Sequence, residues 1–299
     1  MIEASTMATP THMRREIEEI PDAARRLLAD GHPLIRDIAR KAGAPVFLAS
    51  VARGSSDHAA TFLKYASEIY LGLAMASLGP SVSSVYGGKV KLGQALVIAI
   101  SQSGASPDSL SVVESATEQG AFTVGFTNTS GSELAKLSSA AIDICAGPER
   151  SVAATKTFVN SVLAGLLLLA EIGADKELLD ALAALPEHFE KAIDKDWRAL
   201  AKPIEQRGSL YVIGRGPGLA IANEAALKFK ETCQIHAEAY SSAEVMHGPV
   251  SIVENGYPIL ALGVRDAAED GLAQAADRMV DQGGSVFATT DKVERAEKL

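Results

Sequence analysis

Apolar residues fall along this chain in two alternating patterns. Val46–Val51, Leu96–Ser101, Phe122–Thr127 and Ala141–Cys145 are short, nearly continuous apolar runs. Runs of that length fit strands covered on both faces, as in parallel sheets. Between them, Ser56–Leu71 and Pro107–Gln119 space their apolar residues as amphipathic helices do. This exchange predicts βαβ units around a parallel sheet, an α/β fold of the doubly wound kind. Ahead of it, Met1–His12 reads as a disordered arm and Arg14–Ala29 as a helix interrupted at Pro21. Ser151–Gly173 reads as one long helix. Its most apolar stretch, Val162–Ala170, is too short to span a bilayer and reads as buried.

The second half repeats the first at a constant offset. Arg53 and Arg215, Leu96 and Pro258, and Thr123 and Ser285 are each 162 positions apart (215 − 53, 258 − 96, 285 − 123). Each member of a pair sits in or just after a strand-like run. One register across three separated strands points to duplication. The counterparts of the fourth run and of the Ser151–Gly173 helix would begin beyond Leu299, so the second half is expected to lack its last strand and helix here. The expected division is an N-terminal arm and helix (1–30), a first domain (31–174), a helical linker (175–203) and a second domain (204–299).

Composition narrows the function. The formal charge is −9 and no Lys/Arg cluster stands out, so no nucleic-acid partner is expected. Cys145 and Cys233 are too few for a disulfide framework, and the N-terminus has no apolar signal core. No membrane partner and a cytoplasmic location are therefore expected.

Two loops carry candidate chemistry. The run Leu96–Ile100 ends in Ser101-Gln102-Ser103-Gly104-Ala105-Ser106-Pro107-Asp108. Ser106 suits an N-cap and Pro107 the first helical position. A strand, a small-residue loop and a helix start offer backbone N–H groups, a dipole and hydroxyls to an anion. Asp108 opposes this, since it already occupies the helix start, and an ordinary Ser-rich turn has the same composition. The preceding strand ends in a second hydroxyl loop, Arg53-Gly54-Ser55-Ser56-Asp57-His58. The duplicate loops, Arg215-Gly216-Pro217-Gly218 and Gly263-Val264-Arg265-Asp266, lack hydroxyls. One phosphate site per chain is expected, in the first half.

Asn223–Gln234 reads as a helix with Glu224, Lys228 and Glu231 on one face. A mixed stretch follows, Ile235 to Pro249, holding His236, Glu238, Glu244 and His247. A solvated salt-bridge ladder and an acid–base set for aldose–ketose chemistry both fit these residues. The four His and Glu residues match no metal-ligand spacing, so no metal and no other cofactor is expected.

Together these stretches resemble the double-SIS (sugar isomerase) family. That group includes the isomerase half of glutamine:fructose-6-phosphate amidotransferase and stand-alone glucosamine-6-phosphate deaminases. The matching blocks are ARGSSDH (Ala52–His58), ISQSGASPDSL (Ile100–Leu110), VAATKTF (Val152–Phe158), and EAALKFKE, IHAEAY and EVMHGP within Ile213–Pro249. The resemblance implies two flavodoxin-like SIS domains. It implies that Ser56, Ser101, Gln102, Ser103 and Ser106 hold a sugar phosphate, with Gly54, Ser55, Val152 and Ala154 lining the pocket. It implies Glu231 as the base moving the C1–C2 proton, Lys228 as a supporting cation, and His247 as the ring-opening group, shared with a partner subunit of a homodimer.

Two departures refine that expectation. The amidotransferase opens with a glutaminase nucleophile, whereas Ile2 stands at position 2 here. The family's C-terminal tail lysine would fall beyond Leu299, and Lys298 does not fill its place. Deamination of glucosamine 6-phosphate to fructose 6-phosphate and ammonia is therefore the expected reaction. Fructosamine-6-phosphate deglycation, galactosamine-6-phosphate deamination and a non-catalytic sugar-phosphate sensor are the alternatives.

Overall fold

The computed structural model describes residues 10–299. The expected arm over Met1–His12 therefore lies almost wholly outside the described residues; within them, the Thr11 hydroxyl accepts from Arg14 N at the start of α1. The predicted Arg14–Ala29 helix is two helices, α1 (His12–Glu18) and α2 (Ile20–Arg26), broken at Glu19 ahead of Pro21. Helix α3 (His32–Ala42) leads into the first sheet.

In that sheet, β1 (Phe47–Val51), α4 (Ser55–Ala66), β2 (Met75–Ser77), α5 (Pro80–Ser84), β3 (Ala95–Ile100), α6 (Pro107–Glu118), β4 (Phe122–Thr127), α7 (Glu133–Leu137) and β5 (Ala140–Asp143) follow in sequence. All strand pairs are parallel, in the order β2-β1-β3-β4-β5. Every residue of β3 is buried, which is why that run shows no polar alternation. The long helix α8 (Lys156–Gly173) closes this half. By length and composition α8 alone would pass for a membrane span, but 67% of it is buried, packed on α3 and α4. It starts five residues later than expected, because 151–155 is a loop.

Helices α9 (Lys176–Ala183), α10 (Leu185–Ile193) and α11 (Arg198–Arg207) lead to the second sheet. There β6 (Ser209–Gly214), α12 (Pro217–Cys233), β7 (His236–Ser241), β8 (Pro258–Ala261), α13 (Glu269–Asp281), β9 (Ser285–Ala288) and β10 (Glu297–Lys298) give the order β10-β9-β8-β6-β7. Read from the other edge this is the first sheet's order, so the chain is two flavodoxin-like parallel sheets. Two corrections follow. The stretch after α12 opens with the edge strand β7; Leu210 pairs with Ala237 as Leu48 pairs with Met75, again 162 apart (237 − 75). The strand expected beyond Leu299 is already present as β10, a few residues ahead of the offset.

α11 and α12 flank β6 as α3 and α4 flank β1. The groove between them, about 500 Å³ and lined by Leu200, Ile204, Phe229 and Leu260, corresponds to the place α8 fills in the first half. A counterpart of α8 is not among residues 10–299. In the first half that fit is close: a Cβ on Gly165 of α8 would stand 2.2 Å from Leu63 of α4. Gly165→Ala is expected to cost about 1–3 kcal/mol, read as a lower denaturant midpoint at unchanged slope. An unchanged midpoint would show that α4 and α8 do not pack this tightly.

Candidate active site

Strand order reverses between β1 and β3, so the loops after them diverge and leave a crevice at the carboxyl edge of the sheet. The Arg53–Ser56 loop and the Ser101–Ser106 loop flank it. The second loop is held from beneath by β4. Asn128 N and the Thr127 hydroxyl donate to the Gln102 carbonyl at 3.0 and 3.2 Å. Gly104 has φ +63°, and a Cβ there would lie 2.2 Å from the Ser132 hydroxyl. Only glycine meets both demands. Ser106 is the N-cap residue of α6, as predicted, but its hydroxyl makes no capping bond and accepts instead from Ser109. Ser101 is buried and accepts from Gly104 N at 3.2 Å; Ser103 accepts from Ala105 N at 3.4 Å.

A third wall is the loop before α8. Glu149 accepts from Thr155 N and its hydroxyl at 2.9 and 2.8 Å, and from the Thr157 hydroxyl. Glu16, on α1 and 5% exposed, accepts from Arg150 N and Ser151 N at 2.5 and 3.2 Å. Burial works to raise the Glu16 carboxyl, but these hydrogen bonds and the Lys156 charge bring it below its ordinary value. Lys156, wholly buried, reaches Glu19 at 2.5 Å and the Pro148 carbonyl at 2.8 Å. The N-terminal helices thus fix the backbone that presents Val152 and Ala154. Helical spacing alone marks them as an N-terminal arm and helix (1–30), separate from the first domain.

The fourth wall comes from the second sheet's α12, which packs on α4. Lys228 Nζ lies 3.2 Å from Glu224 Oε1, 2.6 Å from Glu231 Oε2 and 3.2 Å from the Ser55 hydroxyl across the junction of the halves. His58 Nδ1, on α4, is 2.7 Å from Glu224 Oε2. Glu224 is 6% exposed, so the face is not a solvated ladder. Burial pushes its carboxyl up, yet the His58 hydrogen bond, the Lys228 charge and the Ser55 hydroxyl together hold it below its usual value of 4.5. In the sequence His58 stands out only as a residue of the hydroxyl loop, and Glu224 only through its helical spacing to Lys228 and Glu231.

Arg53, Ser55, Ser56, Gln102, Val152, Ala154, Thr157, Phe158, Ser161 and Glu231 line one cleft of about 220 Å³. Of the residues predicted, this cleft gathers Ser55, Ser56, Gln102, Val152, Ala154 and Glu231. Lys228 touches it through Ser55 and Glu231. Gly54 supports it from the N-cap position of α4. Ser101, Ser103 and Ser106 belong to the flanking loop but do not line it. His247 does not reach it: it is exposed, on a turn (Glu244–His247) after β7. The cleft suits a small polar ligand, whereas the α11–α12 groove is apolar packing surface.

A lowered Glu224 carboxyl links the junction to pH. Its contribution to stability is fully present above its unfolded value and lost as pH falls through the lower folded value. Unfolding followed from pH 7 to 3 is expected to show wild type losing more stability than Glu224→Gln below about pH 4.5. Parallel curves would remove Glu224 from the linkage. His58→Ala, which leaves that carboxylate short of a buried partner, is expected to cost about 3 kcal/mol at neutral pH in the same measurement.

Comparison with known proteins agrees with this architecture. The SIS domain model matches residues 48–171 and 204–296, one segment in each half. A glutamine–fructose-6-phosphate aminotransferase (isomerizing) of Pyrobaculum aerophilum is 36% identical over 284 residues, covering 84% of this chain and 47% of that protein. The chain thus spans about half the length of the curated relatives it matches. A candidate phosphosugar isomerase from Silicibacter pomeroyi, solved as a crystal structure, is 54% identical with a TM-score of 0.93, across 97% of this chain and 89% of that one. The C-terminal domain of glucosamine-fructose-6-phosphate aminotransferase from Francisella tularensis is 26% identical with a TM-score of 0.84, across 99% and 90%. With a family segment on each sheet and near-complete overlap with these structures, the chain belongs to the SIS domain family.

Proposed function

We propose that this chain is a phosphosugar isomerase of deaminase type, converting glucosamine 6-phosphate and water to fructose 6-phosphate and ammonia. The observation that carries the reading is that Glu231 of the second half lines the same cleft as Ser55, Ser56 and Gln102 of the first. A proton-handling carboxylate then stands over an anion-binding floor. A family segment on each sheet and the overlap with the Silicibacter pomeroyi chain support the phosphosugar part of the reading.

In this reading the first domain (31–174) holds the phosphate through Ser56, Gln102 and the Ser101, Ser103 and Ser106 loop. The second domain (204–299) supplies chemistry. Once the sugar ring is open, Glu231 removes the C2 proton and returns it to C1 while a proton passes from the amino nitrogen to O1, so the C1 aldehyde becomes an alcohol and C2 an imine. Water then adds at C2 and the amino group leaves as ammonia. Lys228 Nζ, 2.6 Å from Glu231 Oε2, holds the carboxylate in position. His247 opens the ring in the cleft of a partner copy, which makes the active form a homodimer. Cytoplasmic residence fits such a substrate.

Ammonia release from glucosamine 6-phosphate tests the reaction. Glu231→Gln is expected to lower kcat by about 10²–10⁴-fold, with the Kd for fructose 6-phosphate changed only a few-fold. A variant at full rate would remove Glu231 as the base. A wild type that binds the sugar phosphate without turnover would leave the sensor alternative standing.

A further inference from the structure

Arg53 is the one lysine or arginine among the side chains lining the cleft. It stands two residues past the end of β1, and its guanidinium pairs with Asp108 in the first turn of α6. The Asp108 carboxyl is held below its usual value by the Ser84 hydroxyl first and by Arg53 second, so it is ionised at neutral pH. The start of α6 therefore already carries an anion, beside the loop where a phosphate would be favoured. The pair contributes little to the fold. The two side chains are 55% and 31% exposed, and ion pairs in such settings add little to stability.

The duplicate half supplies a contrast. Arg215 stands 162 positions after Arg53 (215 − 53), but it donates to the Ser241 hydroxyl at 3.1 Å and has no carboxylate partner among the described residues. Its own loop and the loop after β8, the counterparts of the two hydroxyl loops, carry no serines. Arginine is thus set against an acid only in the half that has the hydroxyl loop.

We infer that Arg53 recognises the phosphate of the ligand, a phosphate monoester dianion, and that Asp108 is the resident counter-anion with which that phosphate competes for the guanidinium. The inference rests on the sugar-phosphate reading above and extends it. Without Arg53, the incoming dianion meets an uncompensated Asp108 in a chain of net charge −9. With it, part of the binding energy is spent in displacing Asp108, so the two residues act on affinity with opposite signs.

Isothermal titration of glucosamine 6-phosphate, inorganic phosphate and glucosamine into the full chain tests this. Arg53→Gln is expected to weaken both phosphate ligands roughly tenfold or more. Asp108→Asn is expected to tighten them several-fold, and neither variant should alter any binding of glucosamine. The gain in Asp108→Asn cannot arise from damage to the fold. If wild type binds glucosamine 6-phosphate but both variants weaken it, or neither changes it, the role of Arg53 is overturned and the sugar-phosphate reading stands. If wild type binds neither phosphate ligand, both are overturned.

Discussion

The buried carboxylate of Glu224 is the group through which the two halves and the cleft are tied together. At 6% exposure it requires partners, and it takes one from each half: His58 on α4 and Lys228 on its own helix. Lys228 in turn holds Ser55 of the first half and Glu231 of the second. Breaking a buried pair by removing one partner typically costs about 3–5 kcal/mol, far above the value of an exposed ladder. The set that docks α12 on α4 is therefore the set that aims Glu231 at the hydroxyl loops. A shift of the halves relative to each other would reach the cleft without touching any lining residue.

The loop before α8 obeys a similar constraint at the opposite wall. Its backbone N–H groups have no sheet to join, and buried backbone donors need acceptors. Glu16 and Glu149 supply them, and Lys156 ties the same turn to Glu19. The N-terminal helices are thereby part of the site's scaffold. The two halves have diverged accordingly. The first keeps hydroxyls at its strand ends and a braced loop; the second keeps a polar helix face and turns its own strand-end loops to glycine and proline.

Much of this was legible in the residues, for stated reasons. Fully buried strands such as β3 leave continuous apolar runs, and duplication leaves a constant offset; neither depends on distant partners. The edge strand β7 was missed because its inward positions are Ala237 and Ser241 rather than large apolar residues, so its alternation is faint. The offset held the missing signal, since Met75 and Ala237 are related by it as the central strands are. Helical spacing placed Glu224, Lys228 and Glu231 on one face but could not say whether water or α4 covers it. The pairing of Arg53 with Asp108 spans 55 positions, beyond any local pattern.

His247 marks where a single chain falls short of the proposed chemistry. Aldose–ketose transfer with ring opening needs two groups that handle protons. The cleft lining of one chain offers Glu231 and, beyond it, only Arg53, whose guanidinium keeps its proton. His247 is exposed on its turn, and the carbonyl of Pro249 just after it accepts from the Tyr211 hydroxyl at 3.1 Å. That bond anchors the turn to β6, from where the imidazole faces outward and not into its own cleft. An outward, anchored histidine and a cleft short of one proton carrier are complementary. The homodimer proposed above is an arrangement that would meet both needs, since a two-fold axis brings the same surface of each chain to the other.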